Sequence, residues 1–348
     1  MALLIKDSEI VGLVSVDEAI AAIHEGYRDQ GEMPAFSAPR LRIQHQDRRL
    51  SVHTGGCHQL GVSGAFLHAE RFTYLGGAQQ YTHIGKRVYV TYNCDTAELM
   101  ALIVGSPSLF SFETVDEAMG TETPCTSAVG TDLMARQNAR ILGLYGTGRQ
   151  ARRHLVTMCA IRPAIDEVRI YSRSNQNRAA FVDRMQPHVS ARLVVVDTAE
   201  AAARGADIIC LATGSNTPVL HGEWLVPGQH VTSIVGSNKA VFQQGLVAEP
   251  RREFDDEVIR RSNRIVATLK DQAIQDEQGD LFQPVHNGLT SWDAIIDLGQ
   301  LASGKIMGRE NDREITLFKQ NSDQGVGYMA LANLIVKKAR AAGIGIEI

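Results

Sequence analysis

The stretch Ile141-Leu-Gly-Leu-Tyr-Gly-Thr-Gly-Arg-Gln-Ala151 decides how this chain is read. Its first residues are apolar enough for a buried strand, and Gly146, Gly148 and Ala151 then form a G-x-G-x-x-A pattern where a helix should begin. The spacing serves backbone access: Gly146 permits a tight turn, Gly148 lets a pyrophosphate approach the main chain, and Ala151 lets the helix pack on the strand. The N–H groups and dipole at the helix start would hold the anion. Thr147, Arg149 and Gln150 lie in the same turn and join the three small residues as cofactor-binding candidates.

Working toward the C-terminus, short apolar runs at 141–145, 168–172, 192–196, 207–212, 230–235 and 264–268 alternate with helix-length segments such as Ala151–Cys159 and Glu200–Ala203. This alternation predicts an α/β fold with a Rossmann-type, doubly wound parallel sheet over residues 126–315. At the end of the second strand, where an acidic residue would bind an adenosine ribose, the sequence reads Ser172-Arg173-Ser174. The planar fork of Arg173 suits a 2′-phosphate and the two serines can donate hydroxyls, so the expected cofactor is NADP, with NAD the alternative. Two later strand ends, Thr213-Gly214-Ser215 and Gly236-Ser237-Asn238, complete a cleft, because ligands in such sheets lie outside the carboxyl ends of the strands.

Residues 1–125 have a different period. Ser15 with Glu18 is a capping-box signature ahead of Ile20, Ile23 and Tyr27. β-rich runs follow at 38–44, 49–54, 63–69, Arg87–Tyr92 and Leu99–Val104, the last two joined as a hairpin through Asn93–Glu98. They predict a mainly antiparallel sheet. An amphipathic helix is expected from about Gly325 to Ala342, with residues 316–348 returning to the first region. The dinucleotide domain would thus lie between the first region and the returning tail, which together make a second, α+β domain.

The composition excludes several classes. Of 348 residues 44% are apolar and 21% charged, which rules out a disordered chain. Lys+Arg 35 against Asp+Glu 39 gives a net charge of −4 without any basic block, so no nucleic-acid partner is expected. No apolar run approaches the roughly 20 residues that span a bilayer, and the N-terminus does not read as a signal peptide, so a cytoplasmic location is expected. Five cysteines with no C-x-x-C pair read as free thiols rather than as a metal or disulfide framework, and no metal is expected.

Beyond the glycine turn, the order of segments resembles the ornithine cyclodeaminase/mu-crystallin family across nearly the whole chain. Four stretches carry the resemblance: GLYGTGRQARRHL with RIYSRSNQNRAAF; ADIICLATGSNTPVLHGEWLVPGQHVTSIVGSN; RIVATLKDQAIQDEQGDL with DLGQLASGK; and REITLFKQNSDQGVG before the last helix. The resemblance implies a homodimer built through the sheet domains, and nicotinamide-linked chemistry at a carbon bearing nitrogen. It also implies that Arg40, in Pro39-Arg40, meets a substrate carboxylate. Other positions depart from the family. Where it carries a lysine after a glycine, this chain has Phe66 or His68; its Arg-Thr pair is Glu122-Thr123; an aspartate of some members is Asn238; an acidic residue before the last helix is Tyr328. The connection Ser106–Met119 is longer than is usual for the family.

Phe66, Thr123 and Asn238 therefore join Arg40 as substrate-binding candidates. His68, which can titrate near neutrality, and Glu122, whose carboxyl burial can raise, are the candidates for proton transfer. Lys86 and Arg87 could restore the lost positive charge. The favoured reading is an NADPH-dependent reductase of the C=N bond of an imino acid or ketimine, or the reverse oxidation of an amine. A cyclodeaminase-like lyase with recycled NAD is the alternative, and a non-catalytic nucleotide-dependent binder the second.

Overall fold

A computed structural model describes residues 1–348 except 76, 77, 115, 116, 119, 246 and 322–324. The chain divides into two units, Met1–Thr126 with Ala302–Lys305 and Asp323–Ile348, and Ser127–Leu301 with Ile306–Ser322. Strands of the first are β1 (Leu3–Lys6), β2 (Leu41–His45), β3 (Arg48–Cys57), β4 (Val62–Leu75), β5 (Ala78–Ile84), β6 (Val88–Asn93) and β7 (Leu99–Val104). The second unit holds β8 (Ile141–Tyr145), β9 (Glu167–Tyr171), β10 (Arg192–Val195), β11 (Ile208–Leu211), β12 (His230–Ser233), β13 (Arg264–Ala267), β14 (Ile295–Asp297) and β15 (Thr316–Lys319). A last strand, β16 (Ile346–Glu347), pairs with β1.

The second unit is the expected parallel sheet, in the order β10-β9-β8-β11-β12-β15-β13-β14. The four apolar residues Ile208–Leu211 of β11 are all buried, as a strand covered on both faces requires. Strand order reverses between β8 and β11, which opens a crevice at their carboxyl ends. One boundary differs from the sequence reading. The sequence assigns Thr316–Lys319 to the returning tail, but these residues form β15 between β12 and β13. Four residues carry too little periodicity to announce a strand, and only the neighbours fix them there.

In the first unit the sheet runs β16-β1-β7-β6-β4-β3-β2, with β5 also on β4. It is mixed: β1 and β7 are parallel, the other pairs antiparallel. The β6–β7 hairpin forms as expected. Ser15 caps the helix Val16–Glu32, accepting from Glu18 N at 3.2 Å while the Glu18 carboxylate accepts from Ser15 N at 2.9 Å. The last helix, Gly325–Ala342, is less amphipathic than its sequence suggested, since every residue from Gly325 to Asn333 is buried. Its first turn lies against β3 so closely that a Cβ on Gly325 would stand 2.1 Å from the Thr54 carbonyl oxygen. Only glycine permits that approach.

Candidate functional site

In the second unit, the candidate cofactor site begins at Gly146. Its φ of +107° and the Ala212 carbonyl, 2.3 Å from where a Cβ would sit, leave no room for another residue. Gly148 then starts the helix Arg149–Ile161 and, having no side chain, cannot cap it, a helix start that suits an anion. Ala151 is fully buried against the sheet. A Cβ on Gly148, Gly214 or Gly236 would meet nothing within 4 Å. These three glycines follow the adjacent strands β8, β11 and β12, so open space lines the crevice on three sides, and a dinucleotide fits the residues present. Arg149 and Gln150 lie half-buried in the helix's first turn. His154, whose ring burial holds at a pKa of about 4, ties that turn to Ser127, its nitrogens 2.8 Å from Gln150 O and 3.0 Å from Ser127 Oγ.

After β9, Arg173 is exposed and has no hydrogen bond or ion pair among the described residues. Ser172 Oγ accepts from Thr147 Oγ1 at 3.5 Å and donates to Ser174 O at 3.3 Å. Ser174 is partly committed elsewhere: its hydroxyl accepts from Asn177 N at 3.2 Å and caps the helix Asn175–Met185. Buried Arg178 supports the turn from below, donating to Ser172 O at 2.5 Å.

At the ends of β11 and β12 the hydroxyls expected to face the cleft turn inward instead. Glu253, fully buried, accepts from Thr213 N (2.9 Å), Thr213 Oγ1 (2.8 Å), Ser233 Oγ (2.8 Å), Ile234 N (3.2 Å) and Val235 N (3.1 Å). Lys319 Nζ donates to Ser233 Oγ at 2.8 Å and to Asp280 Oδ2 at 2.7 Å. Burial raises the Glu253 carboxyl above its ordinary range, and Lys319 opposes the rise. All five of these groups, from four residues, donate to it, the geometry of an ionised acceptor. Ser215 Oγ donates to Thr217 O, Ser237 Oγ to Asp276 O, and Asn238 braces its own loop by accepting from Arg251 N at 2.7 Å. The reason is common to all: short polar side chains in tight turns satisfy local backbone groups first. Glu253, Asp280 and Lys319 went unnoticed in the sequence.

The first unit presents a polar sheet face. Register aligns His53, Phe66 and Tyr89 across β3, β4 and β6, and Ser51 with His68 one pair further on. Phe66 stacks on Tyr328 (centroids 4.0 Å, planes 15° apart) and lies 4.7 Å from the Tyr89 ring. A phenyl ring thus occupies the floor where the resemblance led one to expect a cation. Tyr89, missed in the sequence, donates its hydroxyl to Glu122 at the start of the helix Glu122–Met134, and both side chains are fully buried. Burial first, and the Glu122 charge second, push the Tyr89 hydroxyl well above its ordinary pKa, so it keeps its proton. Thr123 follows, half-buried.

His68 does not stand alone either. Its Nδ1 is 3.2 Å from Glu70, which also accepts from Arg49 Nε at 3.0 Å. Burial would raise Glu70, but the adjoining His68 ring and the Arg49 charge outweigh it and hold the carboxyl at about 2. Burial lowers His68, leaving the ring neutral. Arg40 is buried one residue before β2.

A family model described as "Ornithine cyclodeaminase/mu-crystallin family" matches residues 6–322. The chain belongs to that family. A Delta(1)-pyrroline-2-carboxylate reductase of Bacillus cereus is 35% identical over 65% of this chain and 66% of its own length, so the chain spans just under two thirds of that relative. One from Paracoccus denitrificans is 26% identical over 92% of both. Among solved structures, the Thermococcus litoralis Delta(1)-pyrroline-2-carboxylate reductase in complex with NADH and L-proline superposes with a TM-score of 0.79 at 23% identity, covering 99% of this chain and 100% of that one. That likeness shows a shared fold.

In this member of the ornithine cyclodeaminase/mu-crystallin family, Phe66, Tyr89 and Tyr328 form an aromatic cluster on the first unit's sheet, beside the Tyr89–Glu122 pair. Among the described residues no group of three or more His, Cys, Asp or Glu could hold a metal, and no helix is long and apolar enough to cross a membrane.

Proposed function

We propose that this chain is an NADPH-dependent imine reductase acting on an imino acid. The observation that carries the reading is the open crevice at Gly148, Gly214 and Gly236, built for a dinucleotide in a chain of this family. Its curated relatives named as pyrroline-2-carboxylate reductases support the reaction class. Bound reduced nicotinamide supplies a hydride to the imine carbon. The residues of the chain do the rest. Arg40 pairs with the substrate carboxylate. Glu122, fixed by the Tyr89 hydroxyl, places a negative charge that favours the protonated C=N⁺ form, which accepts hydride, and Phe66 with Tyr328 provides an apolar floor. His68, neutral, holds the Glu70–Arg49 side of the face in place. The test is NADPH oxidation, followed by absorbance, over a panel of cyclic and linear imino acids. Cofactor binding without oxidation of any member would favour the binder, and ammonia release without net oxidation the lyase.

NADP preference rests on exposed Arg173 beside Ser172, with no acidic residue at the end of β9. Arg173→Ala should weaken NADPH binding about 10- to 100-fold, the worth of a charged hydrogen bond, and leave NADH within about twofold. Fluorescence titration with both cofactors reads the difference directly, and equal losses would overturn the preference.

The chain is further proposed to be a homodimer. The sheet face opposite the polar one carries the apolar rows Leu41–Val52–Leu67–Val88 and Ile43–Leu50–Ala69, and Leu41 and Ile43 are 60% and 59% exposed. A contiguous apolar surface of that kind marks an association site. Ile43→Asp should shift the sedimentation coefficient from dimer to monomer, and an unchanged coefficient would place any interface elsewhere.

A further inference from the structure

Arg87 stands apart from the groups used so far. Its side chain is 10% exposed, and its one charge partner among the described residues is Glu70, at 4.0 Å. Glu70 is already engaged by Arg49 and His68, so it gives Arg87 no hydrogen bond. Arg87 Nε is buried without an acceptor. An arginine cannot shed its proton, so a guanidinium in this condition is costly unless an anion completes it.

The space for that anion is next to it. Arg87 lines a cavity of about 450 Å³ with Tyr81, His83, Lys86, Ser106 and Asp7. Lys86 holds the one carboxylate in that lining, Asp7, at 2.5 Å, so the charge left over in the cavity is positive. Ser106, 5% exposed, also faces the Tyr89 hydroxyl and so joins the cavity to the Tyr89–Glu122 pair. Ala118, beyond Ser106 in the same connection after β7, also lines it.

The register then places two arginines on opposite flanks of one floor. Arg40 precedes β2 on the His53 side of Phe66, and Arg87 precedes β6 on the Tyr89 side. Strands β2 and β6 are three strand spacings apart, roughly 14 Å. Arg87 extends over β4 to 4.0 Å from Glu70, an arginine side chain is long enough for Arg40 to cover part of the span from the other flank, and a short chain with an acid group at each end bridges the remainder.

We infer that the substrate is a dicarboxylic imino acid whose distal carboxylate is bound by Arg87 in the cavity beside Ser106, while Arg40 takes the carboxylate next to the imine. This rests on the imine-reductase reading and names the substrate class for it. Bidentate guanidinium–carboxylate pairing satisfies the orphaned Nε, and the negative charge balances the cavity. Arg87 is thus a specificity-determining residue, separating two-carboxylate from one-carboxylate substrates.

The test uses the full chain with NADPH and imines formed in situ from ammonia with oxaloacetate, 2-oxoglutarate or pyruvate. kcat/KM for the two-carboxylate imines should exceed that for the pyruvate imine by about tenfold or more, and Arg87→Gln should collapse that ratio by about tenfold. Arg87→Lys, which keeps the charge without the fork, should fall between. Calorimetric titration with L-aspartate, L-glutamate and L-alanine provides a readout independent of turnover: the two acidic amino acids should bind the wild type more tightly and lose that advantage in Arg87→Gln. A ratio unmoved by Arg87→Gln, or alanine binding as tightly as aspartate, overturns the inference while imine reduction stands. Acidic amino acids that bind through Arg87 with no imine reduced would support the subsite and sink the reductase reading.

Discussion

Glutamine in place of Glu253 should destabilise the protein by about 3 kcal/mol and weaken NADPH binding with it. The carboxylate accepts from three backbone N–H groups and two hydroxyls, which belong to the ends of β11 and β12. A glutamine carbonyl can replace one oxygen, but its amide NH₂ then faces donors only. Put at Oε2, the amide leaves Ile234 N and Val235 N buried and unpaired and opposes the Ser233 hydroxyl. Charge works the other way. Lys319 and Asp280 would balance each other once Glu253 is neutral, so the loss comes from orphaned donors rather than from an unpaired ion. The midpoint of urea unfolding reads the stability, and NADPH fluorescence titration reads the effect at Gly214 and Gly236, which follow the two loops Glu253 ties together. Wild-type stability in Glu253→Gln would show that these hydrogen bonds carry little. Wild-type NADPH affinity with lowered stability would show that the loops keep their shape without them.

The same network marks where sequence reading ends. Gly146, Gly148 and Ala151 were legible because strand, turn and helix lie within one short stretch and each glycine answers a local backbone need. Glu253, Asp280 and Lys319 converge from positions 27 and 39 residues apart, and each sits in an unremarkable local context. Thr213, Ser237 and Asn238 were located correctly at the strand ends, yet their side chains face inward or brace their loops, a choice made by partners the local sequence does not reveal. On the first unit, the run 63–69 put Phe66 and His68 on one strand. It could not show that β6 brings Tyr89 beside them, because strand neighbours are set by topology. Likewise the sequence offers Lys86 and Arg87 together as sources of the lost positive charge and cannot tell them apart. Their environments separate them: Lys86 is largely exposed and paired with Asp7, whereas the Arg87 side chain is only 10% exposed.

Glu122→Gln should lower kcat/KM for imine reduction by about 10²- to 10³-fold near neutral pH, within the range for a group that controls protonation at the reacting centre. The cause assigned above is charge. A carboxylate near the substrate nitrogen raises the fraction of imine that carries a proton, and that form takes hydride. Glutamine keeps the shape and the contact with the Tyr89 hydroxyl while removing the charge. The defect should therefore depend on pH. At low pH the imine is protonated by solvent and the variant approaches the wild type; as pH rises past the substrate's own pKa, the variant falls away first. Tyr89→Phe leaves the carboxylate in place and removes its buried donor, so its loss should be smaller, about tenfold, the worth of one hydrogen bond to a charged group. Both variants should keep wild-type NADPH affinity, because the cofactor crevice is built by the other unit. A Glu122→Gln defect of constant size across the pH range would remove the electrostatic role and leave Glu122 as a packing partner of Tyr89. A defect that grows with pH in Glu122→Gln but not in Tyr89→Phe would separate the charge from the residue that orients it.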